Sequence, residues 1–249
     1  MPTDAARATI AALDLLLAEA PELGRRLPPG WADATARYVD LLLAANRRMN
    51  LTRVIEPGAI ARDHLLDALA ALPLLDASRA RRVIDLGSGG GVPAIPLALA
   101  RPDVAWTLVD SAGKKADVLR DFAAQLGLRR IVVVAERLET LGRDADHREA
   151  HDLATARACA PLAVLVELAL PLVRVGGALM AWKGPLTEGD AELRSGAIAA
   201  GLLGGDRPQV AGTGLPALGG RTLVDVHKGR ATPAEYPRRP GVPARRPLA

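Results

Sequence analysis

The sequence predicts an α/β protein, a Rossmann-like and mostly parallel sheet preceded by a helical extension. From Arg82 onward, short apolar runs alternate with helical segments, as strands do in a parallel sheet covered on both faces. Before Arg82 the apolar spacing is helical. One of the apolar runs leads straight into Gly87-Ser88-Gly89-Gly90-Gly91 and then a helix, the geometry of a ligand site beyond a strand's carboxyl end.

Taken in order, residues 5–20 and 31–48 carry Leu, Ile, Val and Ala three and four apart, and Pro21, Pro28, Pro29 and Gly30 separate them. A third helix is predicted over 57–72, ended by Pro73. Strand 83–86, helix 92–100, strand 105–109 and helix 114–126 follow, then strands 131–134 and 152–156, helix 162–173, strand 178–182, helix 188–200 and strand 222–226. Residues 201–220 are too rich in glycine to assign. Three regions result: a helical extension over 1–80, a core over 81–228 and a tail over 229–249.

Hydrophobic residues make up 49% of the chain and aromatic ones only 2%, so the core has to be built from Leu, Val, Ala and Ile. The single cysteine, Cys159, excludes an intramolecular disulfide and provides no thiolate cluster for a metal. No signal peptide is expected, because the first 30 residues lack a basic start, an apolar core and a cleavage site. Residues 161–182 are apolar enough to suggest a membrane span, but Glu167, Pro171, Arg174, Gly176 and Gly177 interrupt them. A buried helix, a turn and a strand are expected instead, in a cytoplasmic protein. The net charge of +4 lies wholly in the tail, where Arg230, Arg238, Arg239, Arg245 and Arg246 face one acid, Glu235. Five prolines there predict an extended, mobile segment, either a solubilising terminus or a partner for nucleic-acid phosphate.

At the glycine turn, G-x-G-G-G replaces the G-x-G-x-x-G of a dinucleotide site, and Asp85 stands two residues before the first glycine. A carboxylate there repels pyrophosphate and suits the cationic aminoacyl end of S-adenosylmethionine (AdoMet). Asp110, ending the second strand, suits the ribose hydroxyls of either cofactor, or simply caps the next helix. His147 and His151 lack the order of a zinc pair, so no metal is expected. Cys159 is read as a small buried thiol rather than a nucleophile.

The run Asp85-Leu-Gly-Ser-Gly-Gly-Gly-Val-Pro-Ala-Ile-Pro-Leu-Ala resembles the AdoMet motif of the bacterial 16S rRNA (guanine-N7)-methyltransferase family (RsmG, glucose-inhibited division protein B). Asn50-Leu-Thr, His64-Leu-Leu-Asp67, Leu108-Val-Asp-Ser-Ala-Gly-Lys-Lys115, Arg137-Leu-Glu139, Ala156-Arg157-Ala158, Lys183-Gly184 and the tail from Thr232 to Leu248 match in the same order. Val92-Pro93-Ala94, Asp63-His64 and Asp67-Ala68 depart from the family's commoner forms.

The resemblance implies a class I AdoMet-dependent methyltransferase with a mostly parallel seven-stranded sheet. It also implies N7-methylation of a guanosine in the 530 loop of 16S rRNA, with the small ribosomal subunit or its assembly intermediate as partner. AdoMet is then the cofactor, held by Gly87, Ser88, Gly89, Val92, Asp110, Leu138, Glu139 and Arg157. His64, Lys183, Arg238, Arg239, Arg245 and Arg246 become candidates for RNA contact. Taken singly, Leu138 reads equally as core, Glu139 and Arg157 as surface charges, and His64 as a group orienting Asp67. No catalytic side chain is assigned, since guanine N7 bears a lone pair and no proton. A monomer is expected. The alternatives are a methyltransferase for a small molecule or protein, a non-catalytic AdoMet-binding assembly protein and, last, an NAD-dependent oxidoreductase.

Overall fold

The computed structural model describes residues 1–249. Five strands run parallel: β1 (Arg82–Leu86), β2 (Ala105–Val109), β3 (Ile131–Val134), β4 (His151–Arg157) and β5 (Val173–Lys183). β6 (Gln209–Gly212) and β7 (Thr222–His227) complete the sheet, with β7 antiparallel to both its neighbours, in the order β3-β2-β1-β4-β5-β7-β6. This is the predicted seven-stranded Rossmann-like sheet, and its order reverses between β1 and β4. β6 falls in the glycine-rich stretch left unassigned above.

β5 begins five residues before its expected start, because the preceding helix ends at Ala169 rather than running on to 173. Its early part bends past β4, whose register shifts between His151 and Leu153. Gly177 permits the bend: a Cβ there would lie 2.4 Å from the Asp152 carbonyl oxygen. Pro73 does not end a helix as expected. It lies in the first turn of the Leu72–Ser78 helix, where a missing N–H costs nothing.

Side chains alternate across the strands and define two layers. Val83, Trp106, Leu108, Leu153, Met180 and Leu223 face the N-terminal helices, chiefly Asp4–Ala18, Trp31–Met49 and the stretch 57–78. Ile84, Val109, Ala154, Leu179, Ala181 and Val224 face the Leu162–Ala169 and Ala191–Leu203 helices. Three of the chain's six aromatic residues also fasten the helical extension by hydrogen bonds. Trp31 Nε1–H donates to the Pro96 carbonyl (3.2 Å), Tyr38 O–H to that of Gly90 (2.8 Å), and Trp182 Nε1–H to that of Asp67 (2.8 Å). No helix is long and apolar enough to cross a membrane.

The tail contradicts the expectation of a mobile segment. Its backbone carbonyls are gathered by two arginines from the loop after β3. Arg148 donates to those of Thr232, Pro233 and Tyr236, and Arg143 to those of Glu235 and Pro237. Glu167, fully buried on the Leu162–Ala169 helix, takes a two-pronged ion pair from Arg238 (2.8 and 2.5 Å) and the Arg238 backbone N–H as well (2.9 Å). A carboxylate with no exposure requires such a partner, and composition, which set the expectation of disorder, carries no trace of it.

Arg238→Ala strands the Glu167 carboxylate in the core and is expected to cost about 3–5 kcal/mol. Replacing Arg238 and Glu167 together by methionine is expected to cost less than that single change. Urea unfolding of the three chains measures both effects.

Candidate functional site

The carboxyl ends of β1, β2, β3 and β4 carry most of the residues expected at the site. Beyond β1 the chain turns with Gly87, Gly89 and Gly91 at φ +68°, +53° and +91°, a region that favours glycine. A Cβ on Gly87 would lie 2.9 Å from Cys159 Sγ, and one on Gly91 2.4 Å from Ile95 Cδ1. The Tyr38 hydroxyl and Leu42 close over Gly90 from the helical extension. The turn therefore combines bare backbone on one side with close packing on the other.

Asp85 lies beneath it, 1% exposed. The register that pairs Asp85 with Thr155 across β1 and β4 brings the Thr155 hydroxyl to Oδ1 at 2.6 Å. Oδ2 is buried without a hydrogen-bond partner. Burial pushes the Asp85 carboxyl up to about 6, against the pull of its hydroxyl partners. An unmatched buried oxygen acceptor beneath a glycine turn fits a ligand carrying a cation.

Asp110 both caps and ties. Its Oδ1 accepts from the Ala112 N–H (2.9 Å) and its Oδ2 from the Gly89 N–H (3.1 Å), joining the end of β2 to the turn. Ser88 is buried, and its N–H donates to the Val109 carbonyl (2.9 Å). Val92 packs against the core at the foot of the turn. Leu138 and Glu139 open the one-turn Leu138–Leu141 helix after β3. Glu139 is buried, not a surface charge, and its Oε1 accepts the Gly241 N–H from the tail (2.7 Å).

Arg157 ends β4 inside a network supplied by the stretch 57–69, whose Ala61–Leu66 turn is a π-helix. Its guanidinium donates to the Asp67 carboxylate (2.5 Å), the Asp63 carbonyl (2.6 Å) and His64 Nδ1 (3.1 Å). Because His64 Nδ1 accepts, the ring is neutral with its proton on Nε2, 2.9 Å from the Thr52 hydroxyl. Burial, with Arg157 alongside, pushes His64 down to about 4. Burial raises Asp67, although Arg157 and Arg221 pull it the other way. Arg221 was not anticipated from sequence. It pairs with Asp63 (2.8 Å) and stands 3.3 Å from Asp67. Two acids four residues apart on a buried helix, Asp63 and Asp67, were the available sign that cations from elsewhere converge there.

Val54, Asp67, Arg157, Trp182, Lys183 and Arg221 line a cleft of about 400 Å³. It adjoins the glycine turn through Ala158 and Cys159. Cys159 is exposed, not buried as expected, and its thiol donates to the Leu86 carbonyl (2.7 Å). A larger cleft, about 890 Å³ between residues 186–198 and β6, lies away from all of these residues.

The RNA-contact candidates divide. His64 is buried, Lys183 is paired with Glu192 (2.7 Å) and Arg238 with Glu167. None of these three presents a free charge. Arg239, Arg245 and Arg246 are exposed and outside every ion pair.

The sheet order with its antiparallel β7, together with the glycine turn, defines a class I methyltransferase fold. Solved structures agree. An O-methyltransferase from Bacillus cereus, crystallised with S-adenosylhomocysteine, superposes with a TM-score of 0.54 at 18% identity, covering 77% of this chain and 91% of that one. A putative O-methyltransferase from Klebsiella pneumoniae gives 0.53 at 16% identity, covering 78% and 90%. The family is more specific. The model of the GidB family, rRNA small subunit methyltransferase G, matches residues 32–202, and the chain belongs to that family. It is 45% identical over 241 residues to the ribosomal RNA small subunit methyltransferase G of Deinococcus radiodurans, covering 96% of this chain and 94% of that protein. With the protein of the same name from Roseiflexus castenholzii it shares 44% over 237 residues, covering 95% and 100%.

The raised Asp85 carboxyl sets a stability–pH signature. Between pH 4 and 6 the folded chain holds a proton that the unfolded chain has released, so this group's destabilisation grows as pH rises through about 6. Asp85→Asn is expected to stabilise the free protein by about 1–3 kcal/mol at pH 7.5, and the gain should shrink towards pH 4.5. Urea unfolding at the two pH values measures it; a gain that grew on acidification would contradict the buried-carboxyl reading.

Proposed function

We propose that the chain transfers the methyl group of AdoMet to N7 of a guanosine in the 530 loop of 16S rRNA, with the small ribosomal subunit or its assembly intermediate as partner. The family membership supports the reaction class. The structural observation that carries the cofactor assignment is the unpartnered Asp85 Oδ2 beneath the Gly87–Gly91 turn. Its charge complements the ammonium of an aminoacyl group. Asp110, at the end of the neighbouring strand, presents carboxylate to the ribose, and Leu138 and Glu139 bound the adenine end beyond β3. Val92 packs at the base of the turn.

When bound, AdoMet supplies an electrophilic sulfonium methyl group. Guanine N7 attacks with its own lone pair and surrenders no proton, so the chain's task is to hold the base in line and keep water out. Positioning of this kind contributes up to about 7–11 kcal/mol in favourable cases. The cleft beside the turn is the place for the base. Asp67, Arg157 and Arg221 are fixed to one another there by the short contacts given above, so their polar edges are set before substrate arrives. His64 acts on the Arg157 guanidinium rather than on RNA. Arg239, Arg245 and Arg246 are the tail cations available to phosphate, where counterion release strengthens binding at low salt.

Labelled AdoMet and small-subunit particles from cells lacking the gene provide the test. The expected product is N7-methylguanosine at one position of the 530 loop. Gly87→Asp, which sets a side chain against Cys159 at positive φ, is expected to reduce transfer at least a hundredfold while leaving RNA affinity within a factor of about three. Absence of transfer to mature particles, immature particles and purified rRNA would overturn the substrate assignment.

A further inference from the structure

The ligand of an open α/β sheet lies across the carboxyl ends of the strands beside the point where their order reverses. Here that path runs from the β1 turn, over Asp110 at β2, to the segment that follows β3. This last stretch, 135–150, contains only the one-turn Leu138–Leu141 helix and is otherwise loop. What fixes it comes from the far end of the chain. Glu139 Oε1 accepts the Gly241 N–H, Arg143 holds the Glu235 and Pro237 carbonyls, and Arg148 bridges the Gly142 and Tyr236 carbonyls. Gly142 itself is so close to Pro237 that a Cβ would lie 2.9 Å from its Cγ. Leu141 is buried in the layer against which Tyr236 and Leu248 pack.

We infer that the tail is a strap that positions the adenosine end of the cofactor site, with the Glu139–Gly241 hydrogen bond as its tie. The inference rests on the reading that AdoMet binds across β1, β2 and β3. Glu139 thereby acts as a positioning residue: its carboxylate faces the tail, and its place in the chain sets the turn that walls the site. Linkage makes the effect reciprocal, so a bound nucleoside holds the tail down as firmly as the tail improves nucleoside binding.

A chain lacking residues 240–249 removes Gly241 and Leu248 and keeps the Arg238–Glu167 pair that anchors the remaining tail. Calorimetric titration with S-adenosylhomocysteine is expected to show about tenfold weaker binding by the shortened chain. Amide exchange at 138–142 should rise, and the KM for AdoMet should increase. Glu139→Ala in the full chain should reproduce the loss, and Glu139→Gln, which keeps an acceptor oxygen, should recover most of it. Combining Glu139→Ala with the truncation should add nothing, since both break one tie. Equal affinity in full and shortened chains, or losses that add, would overturn the strap while leaving the cofactor reading intact. Failure of the full chain to bind S-adenosylhomocysteine would overturn both.

Discussion

A single buried carboxylate sets the terms for the surrounding structure. Asp85 sits on the face of the sheet that meets the N-terminal helices, where desolvation opposes its charge more than its hydroxyl partners and Arg157 support it. Such a group persists where a ligand restores the balance. The rest of the neighbourhood closes it off from water. Glycines above it remove side chains from the turn, β4 brings Thr155 level with it, and Asp110 pins the turn's N–H from the adjacent strand. A site of this kind is stable only because it is backed by packing that does not itself depend on the ligand.

That packing is supplied from two directions. The N-terminal helices do not form a separate layer loosely attached to a core; Tyr38 and Leu42 form the back wall of the glycine turn, and the stretch 57–69 delivers Asp63, His64 and Asp67 to the end of β4. On the opposite side of the sheet the tail is tied to a buried glutamate and to the loop after β3. The N-terminal helices thus back the carboxyl edge of the sheet, and the tail ties down the loop that runs from β3 to β4. With few aromatic residues available, hydrogen-bonded Trp and Tyr side chains perform the fastening that a larger aromatic core would perform by area alone.

Much of this is legible in the sequence. Alternating strands and helices, the glycine turn and the acids at its edge are local patterns, written in consecutive residues, and they put Asp85 in β1, Gly87 in the turn beyond it and Asp110 just past β2, where the structure has them. The strand β6 was not legible, because an edge strand of four residues with glycine at its end has no periodicity to read. The tail was misread for a different reason. Proline and arginine content describes what a segment does alone, whereas its order comes from Glu167, 71 residues earlier. The sign was present: Glu167 is a lone acid in an otherwise apolar helix, and a buried acid demands a cation. Arg157 was read at the end of its strand, but its partners, and those of Glu139 and His64, emerge only when distant segments meet.

The central claim is that the Asp85 carboxylate is held in reserve for the cation of the cofactor. Calorimetry of S-adenosylhomocysteine binding at pH 6, in buffers of differing ionisation enthalpy, tests it most directly. A ligand ammonium near Asp85 lowers the carboxyl's pKa from about 6, so binding should release about half a proton at that pH. The release should be absent with Asp85→Asn. Binding without proton release in the unaltered protein, or the same release from the Asp85→Asn chain, would contradict the account.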